Sequence, residues 1–253
     1  MNKPWTREEL ILTINLYCKL PFGKLHKSTS EVIGLSQILK RTPSAIAWKL
    51  VNFASFDENL KKRGIKGAKN TSKLDKEIWD EFNNNWEELS FESEKKNYEM
   101  KKENIDSVFM DDDERMLKGI DKKRIIKTRV NQSFFRKTVL ASYNNKCCIT
   151  GIDSISLLIA SHIKPWSLDK KNRLNPRNGL ALNSLHDKAF DIGLLSITPN
   201  YKIKISNELK NKKPTSVLKE YFLNYDGKEI TLPTRFLPDP ELLEYHYEKC
   251  FVK

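Results

Sequence analysis

From Thr6 to Phe91 the apolar residues of this chain recur every third or fourth position; from Lys146 onward they come in short runs broken by glycine, proline and asparagine. That change of period constrains the fold more than any other feature. A 3.6-residue repeat builds amphipathic helices, and short or alternating apolar runs build strands. The pattern predicts an α+β protein with a small helical domain over residues 1–90, a charged acidic linker over 91–124 and a mixed domain over 125–253.

The helical part carries its own start signals. In "WTREELILTINLY", Thr6 and Glu9 have the spacing of a capping box, and Leu10, Ile14 and Tyr17 follow on one face. Pro21 and Gly23 interrupt, and "SEVIGLSQILK" fits a second, shorter helix. A third begins at Thr42, a good N-cap, with Pro43 where a missing N–H costs nothing; Ile46, Leu50 and Phe53 share its buried face. Short helix, tight turn and capped helix give a helix-turn-helix-like order, which would let Arg41 and Lys49 meet DNA phosphates. Units of this kind also bind proteins. "KLDKEIWDEFNNNWEELSFES" returns to helical spacing, with Trp79 and Trp86 read as core. "LKKRGIKGAKNTSK" reads as a flexible basic loop, and "DDDE" at 111–114 as a solvated acidic run.

Charge narrows the partner. The net charge of +12 is uneven: residues 122–253 hold 24 Lys/Arg against 12 Asp/Glu, whereas residues 86–121 hold 6 against 12. Basic segments on either side of an acidic connector suggest a polyanionic partner, of which nucleic acid is the usual one. No apolar run approaches the roughly 18 residues of a membrane helix, and "MNKPWTREEL" lacks the apolar core of a secretory signal. The expected location is therefore cytoplasmic. Cys18, Cys147, Cys148 and Cys250 form no C-x-x-C pair, so they read as small apolar residues and no structural zinc is expected.

In the mixed domain, "VNQSFFRKTVLASYNN" has the spacing of an amphipathic helix. "KCCITG" and "SISLLIASHI" read as two short strands joined by a turn, and "NSLHDKAF" as a short helix. "GLLSITPNYKIKIS" reads as a hairpin about Pro199-Asn200, and "PTSVLKEYFLNY" and "DPELLEYHYEKCF" as closing helices.

Between Ser161 and Asp191 lie two of the chain's four histidines, His162 and His186, separated by a basic loop and the turn dipeptide Asn178-Gly179. A neutral imidazole at a strand end can take a proton from water. A carboxylate or imidazole facing it can hold a divalent cation, which would stabilise charge on a leaving oxygen. Asn178 suits a turn that pins the loop, and Arg173 and Arg177 can pair with flanking phosphates. Together these parts suffice for phosphodiester hydrolysis. Trp166 reads as a packing residue and His246 as a core or interface histidine.

The stretch "CCITG…SHIKPW…NPRNGLALNSLHDKAFDIGLLSI" resembles the HNH endonucleases of the ββα-metal superfamily, most closely bacterial HNH proteins described as predicted restriction endonucleases. "WTREELILTINLYCKLPFGKLH…RTPSAIAWKLVNFASFD" is similar to the helical segment that often precedes this kind of domain. The resemblance implies a C-terminal ββα-metal nuclease domain with flanking helices and a hairpin. It implies a metal-dependent DNA endonuclease of restriction or anti-phage defence that uses one divalent ion, Mg2+ or Mn2+. It assigns His162 as general base, Asn178 as the loop-ordering residue and the His186-Asp187 pair as the metal position. Consecutive helix residues point about 100° apart, and the choice between His186 and Asp187 stays open. Ser161 stands where many relatives carry an acidic residue, and this keeps a second reading in view: a nucleic-acid-binding or regulatory protein on a decayed HNH scaffold. The implied substrate is DNA, with or without modified bases, and two sites for a double-strand cut would call for a homodimer.

Overall fold

The computed structural model describes residues 3–62, 64, 71–110 and 119–253. Half of the basic loop of residues 60–73 and all of the acidic run at 111–114 lie outside the described residues. The chain divides into two compact units, Met1–Thr138 and Val139–Lys253.

The first unit is helical. It contains α1 (Arg7–Lys19), α2 (Ser30–Leu39), α3 (Pro43–Ala54), α4 (Glu58–Lys62), α5 (Lys73–Asn84), α6 (Trp86–Lys101), α7 (Ile105–Phe109) and most of α8 (Gly119–Ser142). The Thr6–Glu9 capping box forms in full, with each side chain bonding the other residue's backbone. Thr42 caps α3 with Pro43 in the first turn. Lys40, in the left-handed region at φ 51°, closes α2 and turns the chain into α3. The core is aromatic at its centre: Tyr17 meets Trp79 edge-on at 5.8 Å, and Phe82 meets Trp86 edge-on at 4.9 Å.

Two expectations change here. Arg41 does not present its guanidinium to solvent. It pairs with Glu9 at 2.8 Å, bonds the carbonyls of Lys3 and Pro4, and lies over the Trp5 ring at 4.0 Å. Burial alone would raise the Glu9 pKa, but hydrogen bonds from Arg41 and the Thr6 backbone bring it down to about 2. Lys49 grips both oxygens of the fully buried Asp75 at 2.7 and 2.8 Å. Both cations balance buried carboxylates, and removing either would leave a charge stranded. The second change concerns residues 91–110, expected in the linker. α6 packs along α1, with ion pairs Lys19–Glu94, Arg7–Glu92 and Lys96–Glu8. Phe91, Ile105, Phe109 and Met110 join Ile126 and Val130 in a small apolar cluster. The segment looks linker-like because its few apolar residues are widely spaced among charges that are used as pairs.

The second unit is built around two two-stranded sheets. β1 (Leu158–His162) pairs antiparallel with β2 (Gly179–Asn183), placing His162 opposite Gly179. α9 (Ser184–Asp191) follows β2 directly, capped by the Asn183 side chain. β3 (Leu195–Ile197) and β4 (Ile203–Ile205) make the expected hairpin, and α10 (Asn207–Lys210), α11 (Ser216–Tyr221) and α12 (Pro240–Lys249) complete the unit. The strand pair is not the expected one. "KCCITG" is a turn, tied by Cys147 N–H to the Ile152 carbonyl and Cys148 N–H to the Ala181 carbonyl. "GLALN" is the partner strand, buried along its whole length. Gly193 ends α9 at φ 78°, and a side chain there would lie 2.2 Å from the Cys250 carbonyl oxygen, so the C-terminal residues pack against a glycine that cannot be replaced without strain.

His246 of α12 is held in this core. It stacks on Phe190 with ring centres 3.6 Å apart, accepts from the Ser196 hydroxyl at Nδ1 and donates from Nε2 to the Phe190 carbonyl. Burial lowers its pKa to about 4. An unfolded histidine titrates near 6.5 and so takes up a proton that the folded one refuses. The stabilisation is complete above about pH 6.5 and is lost as pH falls toward 4. The unfolding free energy should drop by on the order of 3 kcal/mol between pH 7 and pH 4 from this residue. Urea titrations of wild type and His246→Gln at the two pH values check this; an equal drop in the variant assigns it elsewhere.

Candidate active site

The residues 163–178 between β1 and β2 form a closed loop, and Asn178 closes it. Its side chain is fully buried. Oδ1 accepts from the Lys164 N–H at 2.8 Å, while Nδ2 donates to the carbonyls of Lys164 at 3.1 Å and Asn172 at 3.3 Å. The Asn178 carbonyl also accepts from the Ile163 N–H, so the loop's two ends are laced together where the strands begin to pair.

His162 ends β1. Its Nε2 lies 2.9 Å from the Arg173 carbonyl, an acceptor, so Nε2 carries the proton and Nδ1 is the unprotonated nitrogen of the neutral ring. Burial lowers its pKa below the ordinary value, against the opposing pull of the Arg173 carbonyl and the charge of Asp191. Trp166 stands edge-on to the imidazole at 5.5 Å. The Arg173 guanidinium lies 5.2 Å over that indole, with a buried Nε that finds no hydrogen-bond partner. A buried donor without a partner is costly, and an acceptor reaching it would satisfy it. Arg177 is exposed and shared with Asp239 at 3.4 Å.

The two candidates on α9 separate cleanly. His186 is fully buried. Its Nδ1 accepts from Asn183 Nδ2 at 3.2 Å, its Nε2 donates to the Tyr221 carbonyl at 2.6 Å, and its ring meets Phe222 edge-on at 5.3 Å. With both nitrogens committed inside the core, His186 is not placed to ligate a metal or to act on substrate. It holds α9 to the segment after α11. Asp187, the next residue, turns the other way. It is half-buried, and burial raises its pKa, helped by Asp191 and opposed by the Ser161 hydroxyl and Lys188. The Ser161 hydroxyl is itself buried beside Asp187 and favours its charged form. Asp191, one helical turn on, acts on both Asp187 and His162. Sequence reasoning passed over Asp191, although its i,i+4 spacing from Asp187 places it on the same helix face.

Among the described residues no group of three or more His, Cys, Asp or Glu side chains could enclose a metal ion. Two carboxylates on one helix face do suit magnesium, which is commonly held by one or two carboxylates with water and substrate phosphate completing its shell. A divalent ion would fit the half-buried Asp187 carboxyl with Asp191 one helical turn on, since it would balance their charge.

Residues 147–198, which span the closed loop, both strands of the first sheet and α9, match the family model described as HNH endonuclease. No curated protein matches the chain. The chain thus carries an HNH endonuclease domain. That points to nuclease activity on DNA, and HNH nucleases generally use a divalent metal. Among the described residues no helix is long and apolar enough to cross a membrane.

If His186 is a core residue, His186→Ala should lower the unfolding free energy of this unit by about 2–4 kcal/mol, since it leaves a void and two unpaired groups. Metal affinity should be unchanged in the fraction that folds. Denaturant unfolding checks this; a variant of wild-type stability would return His186 to the list of ligands.

Proposed function

We infer that the protein is a metal-dependent DNA endonuclease in which His162 is the general base and Asp187, with Asp191, holds the ion. The setting we infer is restriction or anti-phage defence, in keeping with the resemblance of "NPRNGLALNSLHDKAFDIGLLSI" to restriction-type HNH proteins. The observation that carries the chemistry is the hydrogen bond from His162 Nε2 to the Arg173 carbonyl. It fixes the neutral tautomer with Nδ1 as the basic nitrogen, and burial keeps that nitrogen unprotonated at neutral pH.

Each residue then has one task. His162 Nδ1 takes the proton of the attacking water. Asn178 holds the loop closed, and with it the carbonyl that orients His162. Arg173, stacked on Trp166, binds a backbone phosphate and is the better placed of the two loop arginines, because Arg177 is shared with Asp239. Asp187 and Asp191 bind the ion, and the Ser161 hydroxyl polarises Asp187. A bound Mg2+ or Mn2+ supplies Lewis-acid stabilisation of the charge that grows on the leaving oxygen. The basic N-terminal unit adds affinity for DNA, through cations other than Arg41 and Lys49. A homodimer would supply the two sites of a double-strand cut.

His162→Ala should slow metal-dependent nicking of supercoiled plasmid by roughly 10²–10⁴-fold while DNA affinity persists. In wild type the acid limb of the rate–pH profile should lie below about 6.5, because the base must be neutral and burial lowers its pKa. Nicking at the wild-type rate by the variant contradicts the assignment. DNA binding with no cleavage by wild type, across metals and across DNA from methylating and non-methylating hosts, favours the decayed scaffold instead.

A further inference from the structure

The N-terminal unit contains a half-enclosed cavity of about 450 Å³ bounded by α1, α2, α6 and α8. Its volume is within the range of small-molecule sites, roughly 300–1,000 Å³. Leu12 and Leu16 of α1 and Leu35 and Ile38 of α2 make apolar walls. Lys19, Lys101, Lys137, Asn15 and Asn97 also line this space. Among the described residues, Lys19 is the lining lysine with an ion pair: it meets the buried Glu94, which also accepts from Asn15 Nδ2 at 2.8 Å. Lys101 and Lys137 line one space, among the described residues with no ion pair to a carboxylate, and Lys101 adds to burial in lowering the Lys137 pKa. Glu31, the one carboxylate lining the cavity, is engaged by the Ser30 hydroxyl and the charge of Lys24.

Gly34 lines the same space. It lies in the middle of α2 with an ordinary helical backbone, where glycine weakens a helix relative to alanine. A Cβ built on it would meet nothing within 4 Å. Neither packing nor backbone conformation calls for glycine, and a larger side chain at this lining position has open space to occupy.

We propose that this cavity binds a nucleoside phosphate, with its phosphate between Lys101 and Lys137, its base between the apolar walls, and the Asn97 amide on the base edge. Paired cations suit a phosphate, a flat ring fills an apolar slot, and amides read the donor and acceptor edge of a base. A free nucleotide and a nucleotide turned out of a DNA strand share this chemistry. The site belongs to the N-terminal unit and does not depend on whether the C-terminal unit cleaves DNA.

The test is calorimetric titration of the full chain, without added metal, with each of the eight common ribo- and deoxyribonucleoside monophosphates, with inorganic phosphate, and with a short duplex carrying one unpaired nucleotide. At least one nucleotide should bind, inorganic phosphate at least about tenfold more weakly, and the double variant Lys101→Ala/Lys137→Ala should lose about tenfold or more, as expected for lost charged contacts. Gly34→Leu should fill the cavity and abolish binding while its circular dichroism and thermal melting show an intact helical unit. Gly34→Ala, which adds only a methyl group, should still bind and serves if the leucine variant does not fold. Competition between the bound nucleotide and the unpaired-nucleotide duplex, but not a fully paired duplex, identifies the extruded source; absence of competition identifies the free nucleotide. No binding of any nucleotide or of the unpaired duplex up to about 10 mM, or binding unchanged by Gly34→Leu, overturns the proposal.

Discussion

The buried amide of Asn178 is the interaction on which the candidate site depends. Three hydrogen bonds from one side chain join Lys164 and Asn172 to the start of β2. They satisfy backbone groups that a long loop would otherwise leave to water, and they close residues 163–178 into a unit with a defined shape. The Arg173 carbonyl then has a fixed position, and the tautomer of His162 follows from it. Trp166 and Arg173 are aligned beside the imidazole by the same closure. In the absence of Asn178 the base would remain in the strand, but nothing would select its basic nitrogen.

A second theme is the use of charge inside each unit. In the helical unit Arg41, Lys49 and Lys19 each meet a carboxylate that is buried or nearly so: Glu9, Asp75 and Glu94. Such pairs hold helices in register, and the loss of either partner is costly. The site on α9 is the opposite case. Asp187 and Asp191 repel each other one turn apart, and burial disfavours the charge of Asp187. A cation there would also screen Asp191 from His162, which removes one of the influences that favour protonation of the base. An ion held there would therefore favour the neutral form of His162.

What was legible in the sequence was local. The Thr6–Glu9 box, Thr42-Pro43, the hairpin about Pro199-Asn200 and the α9 helix all rest on signals within a few residues, and each forms as read. The partner of β1 was not legible: Gly179 and Ala181 are poor strand formers, and "GLALN" becomes a strand only through pairing across a long loop. Arg41 and Lys49 looked like phosphate ligands because sequence shows a cation but not the distant carboxylate it serves. The His186-Asp187 ambiguity had the same origin. Adjacent helix residues face different directions, and the distant partners of His186, the Tyr221 carbonyl and the Phe222 ring, show which one is turned into the core.

The most direct test of this account is metal binding measured apart from catalysis. Manganese titrated calorimetrically into the full chain with an uncleavable phosphorothioate duplex should bind wild type and His186→Gln alike, if the latter folds. Asp187→Asn should lose the binding, and Asp191→Asn should weaken it. Retention of manganese by Asp187→Asn together with its loss in folded His186→Gln would contradict the site described here.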